Sequence, residues 1–381
     1  MRSFNFLNNL TGIEPRGFPF ISIYLNTEPN GTGKKDFKIF LNKQLNDHAA
    51  VMEVNSPRRE SFEKDAEKIR YFVENDLDPA TRGLAIFACS GADDFFEEFQ
   101  YEVPFEENEF FLYEKPHIYP LVRLIAQHPS FALVSADTNA AHIYVLRRGE
   151  TLRQIDLQNT KTNRTEVGGW SQKRYQRHVG NFHRQHAKEV VQDLEKIVRE
   201  SRIDQIILAG DETGIIPILR NEMSKELNEM VAGVLPLHID TPEDELVEAA
   251  ERALREHDAE ADKKKIDYLF EHNYDEGIGV TGVDKTLAAL MNGQVMELYL
   301  TADLDEITYS RGDVEQVLEA YAPGEPTENT DPNERELLID ELIKYAAESS
   351  DRIRIIEDPH LLKTAGGVGA ILRYQAKGVS Q

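Results

Sequence analysis

Between Tyr175 and Ile197 the apolar side chains Tyr175, Val179, Phe182, Val190, Leu194 and Ile197 recur at helical spacing, with His186 on the same line. That period predicts a long amphipathic helix with one packing face. The runs on either side fix what it packs against. "DQIILAG" (204–210) follows as a short apolar run with the length of a buried strand, and "SFALVSADTNAAHIYVLRRGE" (130–150) precedes as two strands around the turn residues "DTN". A long helix set between buried strands predicts an α/β layer.

The opposite face of this helix is cationic. Arg174, Arg177, Arg184 and Lys188 fall nearly opposite the apolar line, since each residue advances the helix by roughly 100°. Over 161–188 the basic residues are Lys161, Arg164, Lys173, Arg174, Arg177, Arg184 and Lys188, against the single acid Glu166, in a chain whose formal charge is -25. Such a body argues against wrapping duplex nucleic acid, and DNA is not an expected partner. One concentrated stripe suits phosphate recognition at one place. A solvated helix face is the competing reading. Just ahead of the helix stands "GGWSQ" (168–172), with the only tryptophan of the chain. The glycine pair reads as a turn or as backbone freed for a crowded pocket. Trp170, among Gly, Ser, Gln and Lys, could stack on a base or tuck into a domain interface.

The rest of the chain adds two more α/β blocks. "FPFISIYLN" (18–26) and "RGLAIFAC" (82–89) read as strands around a helical 34–75 broken at "NSPRRE", and 98–126 runs from β-formers into a helix. Then come a strand at "VLPLHI" (234–239) and a long helix from "TPEDELV", with Thr241 as N-cap and Pro242 at its first position. The last block gives a helix at 283–292, a strand at 295–300, a polar loop at 323–335, a helix at 336–349, a strand at 352–357 and a closing "GGVGAILRY" (366–374). The expected domains are 1–128, 129–258 and 259–381.

Several chemistries are excluded or disfavoured. One cysteine, Cys89, permits neither a disulfide framework nor a Cys-based zinc site and suits a reducing cytosol. No run approaches the length of a membrane span, so a cytoplasmic protein without a membrane partner is expected. His183 and His186 are three apart, but no carboxylate or thiol completes a set, so no metal is expected. "NGTGKKD" (30–36) lacks the Ser or Thr of a phosphate loop, and "GGVGAIL" lacks the last glycine of a dinucleotide fingerprint, so no cofactor is expected. An RNA-cleaving enzyme would need acidic residues gathered near the glycine loop.

The motifs resemble, in order along nearly the whole chain, the superfamily of the class-1 peptide chain release factor of eukaryotes and archaea together with Pelota. "GGWSQKRYQR" (168–177) stands where that family has Gly-Gly-Gln, then Ser, then Arg-aromatic-x-Arg; Gly168, Gly169, Ser171, Arg174, Tyr175 and Arg177 match. "IILAG" (206–210), "GVDKTLAALMNGQVMELYL" (282–300) and "GGVGAILRY" resemble the family's other signatures. The resemblance implies an α/β three-domain protein: a mixed-sheet N-terminal domain, an RNase H-like middle domain and a ribosomal-protein-like C-terminal domain that docks a translational GTPase. It implies ribosomal RNA, the peptidyl transferase centre and P-site tRNA as partners. Gly168, Gly169 and Gln172 would form the catalytic loop, and Trp170, Ser171, Lys173, Arg174, Arg177, Arg184 and Lys188 would touch RNA. Two departures stand out. Trp170 occupies the family's glutamine position, with Gln172 two residues later, as in the branch of the ribosome quality-control hydrolase. The stop-codon motif Asn-Ile-Lys-Ser has no counterpart at "EVNSPRRE" (53–60). Codon-independent hydrolysis of peptidyl-tRNA is then implied, or a non-catalytic plug of the kind made by hibernation factors such as Balon.

Overall fold

The computed structural model describes the chain except residues 1–6, 14–16, 30–35, 148–149, 159–171, 202, 275–276, 311–333, 350–351 and 375–381. It divides into two compact units. One holds residues 128–261; the other joins residues 2–127 to 262–381.

In the second of these, α1 (Leu7–Thr11), β1 (Phe20–Asn26), α2 (Phe37–Val51), α3 (Pro57–Asn75), β2 (Gly83–Cys89), β3 (Phe95–Tyr101), β4 (Glu109–Tyr113) and α4 (Tyr119–Gln127) come from the N-terminal segment. The four strands form an antiparallel sheet in the order β3-β2-β1-β4. The apolar alternation of 18–26 predicts a half-buried strand, yet β1 is buried on both faces. Ile21, Ile23 and Leu25 meet α2 and α3, while Phe20 and Tyr24 enter a core shared with α4. The break expected at "NSPRRE" is the α2–α3 junction. Asn55 takes a left-handed φ of 63°, and Ser56 caps α3 by accepting from the Arg59 N–H at 3.2 Å, with Pro57 at the first helical position.

The 128–261 unit begins with β5 (Phe131–Ala136), β6 (Ala140–Arg147) and β7 (Glu150–Gln158). It continues with α5 (Gln172–Ser201), β8 (Gln205–Ala209), α6 (Ile215–Glu222), α7 (Lys225–Glu229), β9 (Val231–Leu235) and the first part of α8 (Glu243–Glu271). The strand order is β7-β6-β5-β8-β9; β5, β6 and β7 are antiparallel neighbours, and β8 and β9 run parallel to β5. This is the 3-2-1-4-5 order of the expected RNase H-like domain. Asp137 closes the "DTN" hairpin by accepting from the N–H groups of Asn139 and Ala140 at 2.6 and 2.7 Å. Gly210 follows β8 at φ 156°, and only glycine fits there because a Cβ would lie 2.5 Å from the Ala136 carbonyl oxygen. Two expectations shift. The last strand lies at 231–235, upstream of the expected 234–239, because Pro236 has no N–H to continue the ladder. The regular part of α8 starts at Glu243, one residue late, with the Pro242 carbonyl accepting from Leu246 N–H at 3.0 Å.

From Asp262 onward α8 belongs to the other unit. There β10 (Gly279–Thr281), α9 (Val283–Met291), β11 (Val295–Thr301), α10 (Glu334–Glu348), β12 (Arg352–Ile356), α11 (Pro359–Leu362) and β13 (Val368–Leu372) follow. The strands form a mixed sheet in the order β10-β13-β11-β12, with β11 parallel to β12. The "GGVG" run earns its glycines here. Gly366 and Gly367 hold φ of 67° and 78°, and a Cβ on Gly366 or Gly369 would lie 2.5 or 2.6 Å from Thr308 Oγ1 or Leu269 Cδ2. Leu298, Leu300, Leu338 and Leu342 of this segment share one apolar cluster with Tyr24, Phe87 and Leu121 of the N-terminal segment.

Buried ionic contacts reinforce that shared core. Asp340 of α10, 1% exposed, accepts from the N–H groups of Ile118 and Tyr119 at 2.9 and 3.0 Å, capping α4 across 221 residues of sequence. Its other oxygen meets His117 Nδ1 at 2.5 Å. His117 N–H donates to Ser22 Oγ at 3.0 Å, and Lys115 pairs with the buried Glu341. In the C-terminal segment, Glu297 of β11 receives Lys265 and the Tyr299 hydroxyl, and Arg354 pairs with Asp262.

Candidate functional site: a cationic helix behind a glycine loop

The expected site lies where the edge strand β7 leads into α5. Gly168, Gly169, Trp170 and Ser171 lie outside the described residues. Gln172 is the first residue of α5, and Lys173, Arg174 and Arg177 occupy its first two turns. The helix is 30 residues long and contains the whole 175–197 line. Its packing face is as read from Phe182 onward, while the side chains of Tyr175 and Val179 lie outside the described residues. Val190, Leu194 and Ile197 are buried against β5, β6 and β8, and Phe182 is half-buried. His186 is 1% exposed on the same face, with Nε2 unpartnered, in the position of a core residue.

The cations described in full are Arg184 and Lys188, and both are exposed. Arg184 is not bare: its Nε lies 3.2 Å from Glu222 Oε1 at the end of α6. The arginine side chain is 70% exposed, so the pair is loosely held. No local signal in the sequence pairs Glu222 with Arg184, because α6 is brought alongside α5 only by the fold.

Charge is distributed unevenly along α5. From Gln172 to Lys188 the residues Lys173, Arg174, Arg177, Arg184 and Lys188 meet no acid on the helix itself, whereas Glu189, Asp193, Glu195 and Glu200 follow. Cations at the N-terminal half oppose the usual preference for acids there, because the helix macrodipole already places positive charge at that end. Such an arrangement costs stability in isolation and favours an anionic partner. Among the described residues no group of three His, Cys, Asp or Glu gathers to hold a metal, and no helix is long and apolar enough to cross a membrane. Cys89 is buried, which pushes its thiol up to about 11 and leaves it inert.

The profile of a family described as bacterial archaeo-eukaryotic release factor family 10 matches residues 116–255. Peptide chain release factor subunit 1 of Thermococcus kodakarensis is 26% identical over 287 residues, spanning 67% of this chain and 69% of that protein. The Pyrococcus abyssi protein of the same name is 24% identical over 287 residues, with the same shares. Over residues 116–255 the chain therefore resembles the archaeo-eukaryotic release factor superfamily. Among solved structures of that superfamily, Pelota of Archaeoglobus fulgidus is 16% identical, covering 78% of this chain and 80% of its own, with a TM-score of 0.33. Saccharomyces cerevisiae Dom34, described as a translation termination-like factor, is 12% identical over 78% of this chain and 82% of its own, with a TM-score of 0.44. The relatives it matches are translation factors of the release-factor type. The matched profile covers residues 128–255 of the 128–261 unit, α5 included.

Proposed function

We propose that the protein enters the ribosomal A site and releases the nascent peptide by codon-independent hydrolysis of the peptidyl-tRNA in the P site. The observation that carries this reading is the α5 N-terminus. The Gly-Gly-Trp-Ser-Gln run leads directly into a helix whose first seventeen residues, Gln172 to Lys188, hold five cations and no acid. Gly168 and Gly169 let the backbone enter a crowded RNA pocket in conformations that other residues avoid. The Gln172 amide orients a water on the ester carbonyl, and a backbone N–H stabilises the oxyanion that forms. Trp170 packs on a base of tRNA or ribosomal RNA. Ser171, Lys173, Arg174, Arg177, Arg184 and Lys188 hold the surrounding backbone. In this reading residues 1–128, 129–258 and 259–381 act as three domains in the cytoplasm, the last docking a translational GTPase.

A second reading has its own support. Gln172 belongs to α5, so its backbone is set by the helix, and Trp170 stands at the position of the family's glutamine. The loop then plugs the peptidyl transferase centre of an idle ribosome. The test uses purified ribosomes with labelled peptidyl-tRNA in the P site and an empty A site, following co-sedimentation and peptide release together. Release that Gln172→Ala abolishes while binding persists supports hydrolysis. Binding without release by the unaltered protein assigns the plug. Failure to bind overturns both.

A further inference from the structure

Gly180 lies mid-way along the first half of α5, where a glycine costs helix stability relative to alanine. Its packing does not require it: it is exposed, and a Cβ there would meet nothing within 4 Å. Its position on the helix is particular. Lys173, Arg177, Gly180, Arg184 and Lys188 are spaced by 4, 3, 4 and 4 residues, so helical periodicity sets Gly180 in the middle of the cationic line. Arg177 and Arg184 flank it along an axial span of roughly 10 Å. The line therefore has a gap at its centre over bare helix backbone, with an arginine position about one turn to either side.

Glycine at such a place removes the one obstacle to close approach of another backbone. We propose that a single sugar–phosphate strand of RNA crosses α5 at Gly180, seated against the helix backbone between Arg177 and Arg184. The inference rests on the ribosomal reading above and adds to it the path of the strand and its steric requirement. The chemistry recognised is the RNA backbone and carries no base specificity. Arg184, tethered to Glu222, is held at the edge of this gap.

A size series at Gly180 tests it, read by binding to purified ribosomes over a range of salt concentrations and by thermal melting of the full chain. Gly180→Ala should bind within about twofold of the unaltered protein, since a methyl group enters open space, and should melt at or above its temperature. Gly180→Leu should melt equally well but bind roughly tenfold more weakly, with the slope of log affinity against log salt reduced by about one as a phosphate contact is lost. Unaltered affinity in Gly180→Leu overturns the inference and leaves the ribosomal reading standing. Equal loss in Gly180→Ala and Gly180→Leu overturns it in favour of a hinge at Gly180. Weaker binding by Gly180→Leu with an unchanged salt slope overturns it in favour of a protein surface at that place. Absence of ribosome binding by the unaltered protein overturns the ribosomal reading and this inference together.

Discussion

The two compact units of this chain solve the burial of polar groups in opposite ways. Among the described residues of 128–261, the buried polar side chains are Ser135 and His186, and each leaves an atom without a hydrogen-bond partner. The unit made of 2–127 with 262–381 also leaves Thr286 Oγ1 unpartnered, but it buries the ionisable Asp65, His117, Asp262, Glu297, Asp340 and Glu341, each with a charged or hydrogen-bonding partner. The difference follows from connectivity. In the 128–261 unit the strands, α5 and α6 come from one continuous stretch and their buried contacts are apolar, the Arg184–Glu222 pair lying at the surface. In the other unit, segments more than 200 residues apart must find one register, and a paired charge rejects misplacement more sharply than an apolar surface does. The same division sets where charge remains for partners. The first unit spends little of it inside and displays its cations along α5.

The largest expected effect tests the joint. Asp340→Ala removes the partner of buried His117 and uncaps α4, so stability should fall by about 3–5 kcal/mol, the usual cost of orphaning a buried charge. Urea denaturation of the full chain, followed by signals from both units, measures it. A loss under about 1 kcal/mol would show that the apolar cluster alone holds the joint.

The next is a pH dependence that the 128–261 unit should lack. Burial by itself lowers the His117 pKa, but Asp340, by charge and hydrogen bond, with Glu336 and Glu109 adding to the field, raises it above the ordinary 6.5. Tyr24 and Tyr113, whose rings also face it, are held neutral by burial first and by these carboxylates second. A raised histidine pKa stabilises the fold fully below the unfolded value and loses that contribution as pH rises through the folded value. The unit that contains His117 should therefore weaken as pH increases above 6.5. In His117→Gln that slope should vanish; a slope unchanged in the variant would place the titration elsewhere.

A smaller effect of opposite sign belongs to the other unit. His186 buries Nε2 without a partner, so His186→Leu should raise stability by about 1 kcal/mol through relief of desolvation. Destabilisation by more than that would mean the imidazole has a partner the apolar reading of α5 misses.

These sites also mark how far the sequence was legible. The apolar line of α5, the "DTN" hairpin, the α2–α3 break and the strands at 83–89 and 295–301 were readable because their signals are local. Strand β7 was missed because "ETLRQIDLQ" is a largely polar edge strand with little apolar alternation to give it away. The "GGVG" run was visible as a motif, but its cause, close approach of Thr308 and Leu269, is tertiary. His117 and Asp340 are 223 residues apart, and nothing local distinguishes either from a surface residue. Of the candidate site, the helix and its charge were legible; the tether between Arg184 and Glu222 was not.

That tether gives the smallest effect on folding and the clearest separation of stability from binding. The Arg184 side chain is 70% exposed, so Arg184→Ala should change stability by less than about 0.5 kcal/mol. If the stripe holds RNA phosphates, the same substitution should lower the salt slope of ribosome binding by about one. Glu222→Gln separates the two roles further. It removes a carboxylate that competes with phosphate for the guanidinium, so it should tighten ribosome binding while leaving the melting temperature nearly unchanged. Weaker binding in Glu222→Gln would mean that Glu222 works as a positioning residue, fixing the guanidinium where a phosphate arrives. The acidic body would then contribute directly to RNA recognition by aiming the cation with which it pairs.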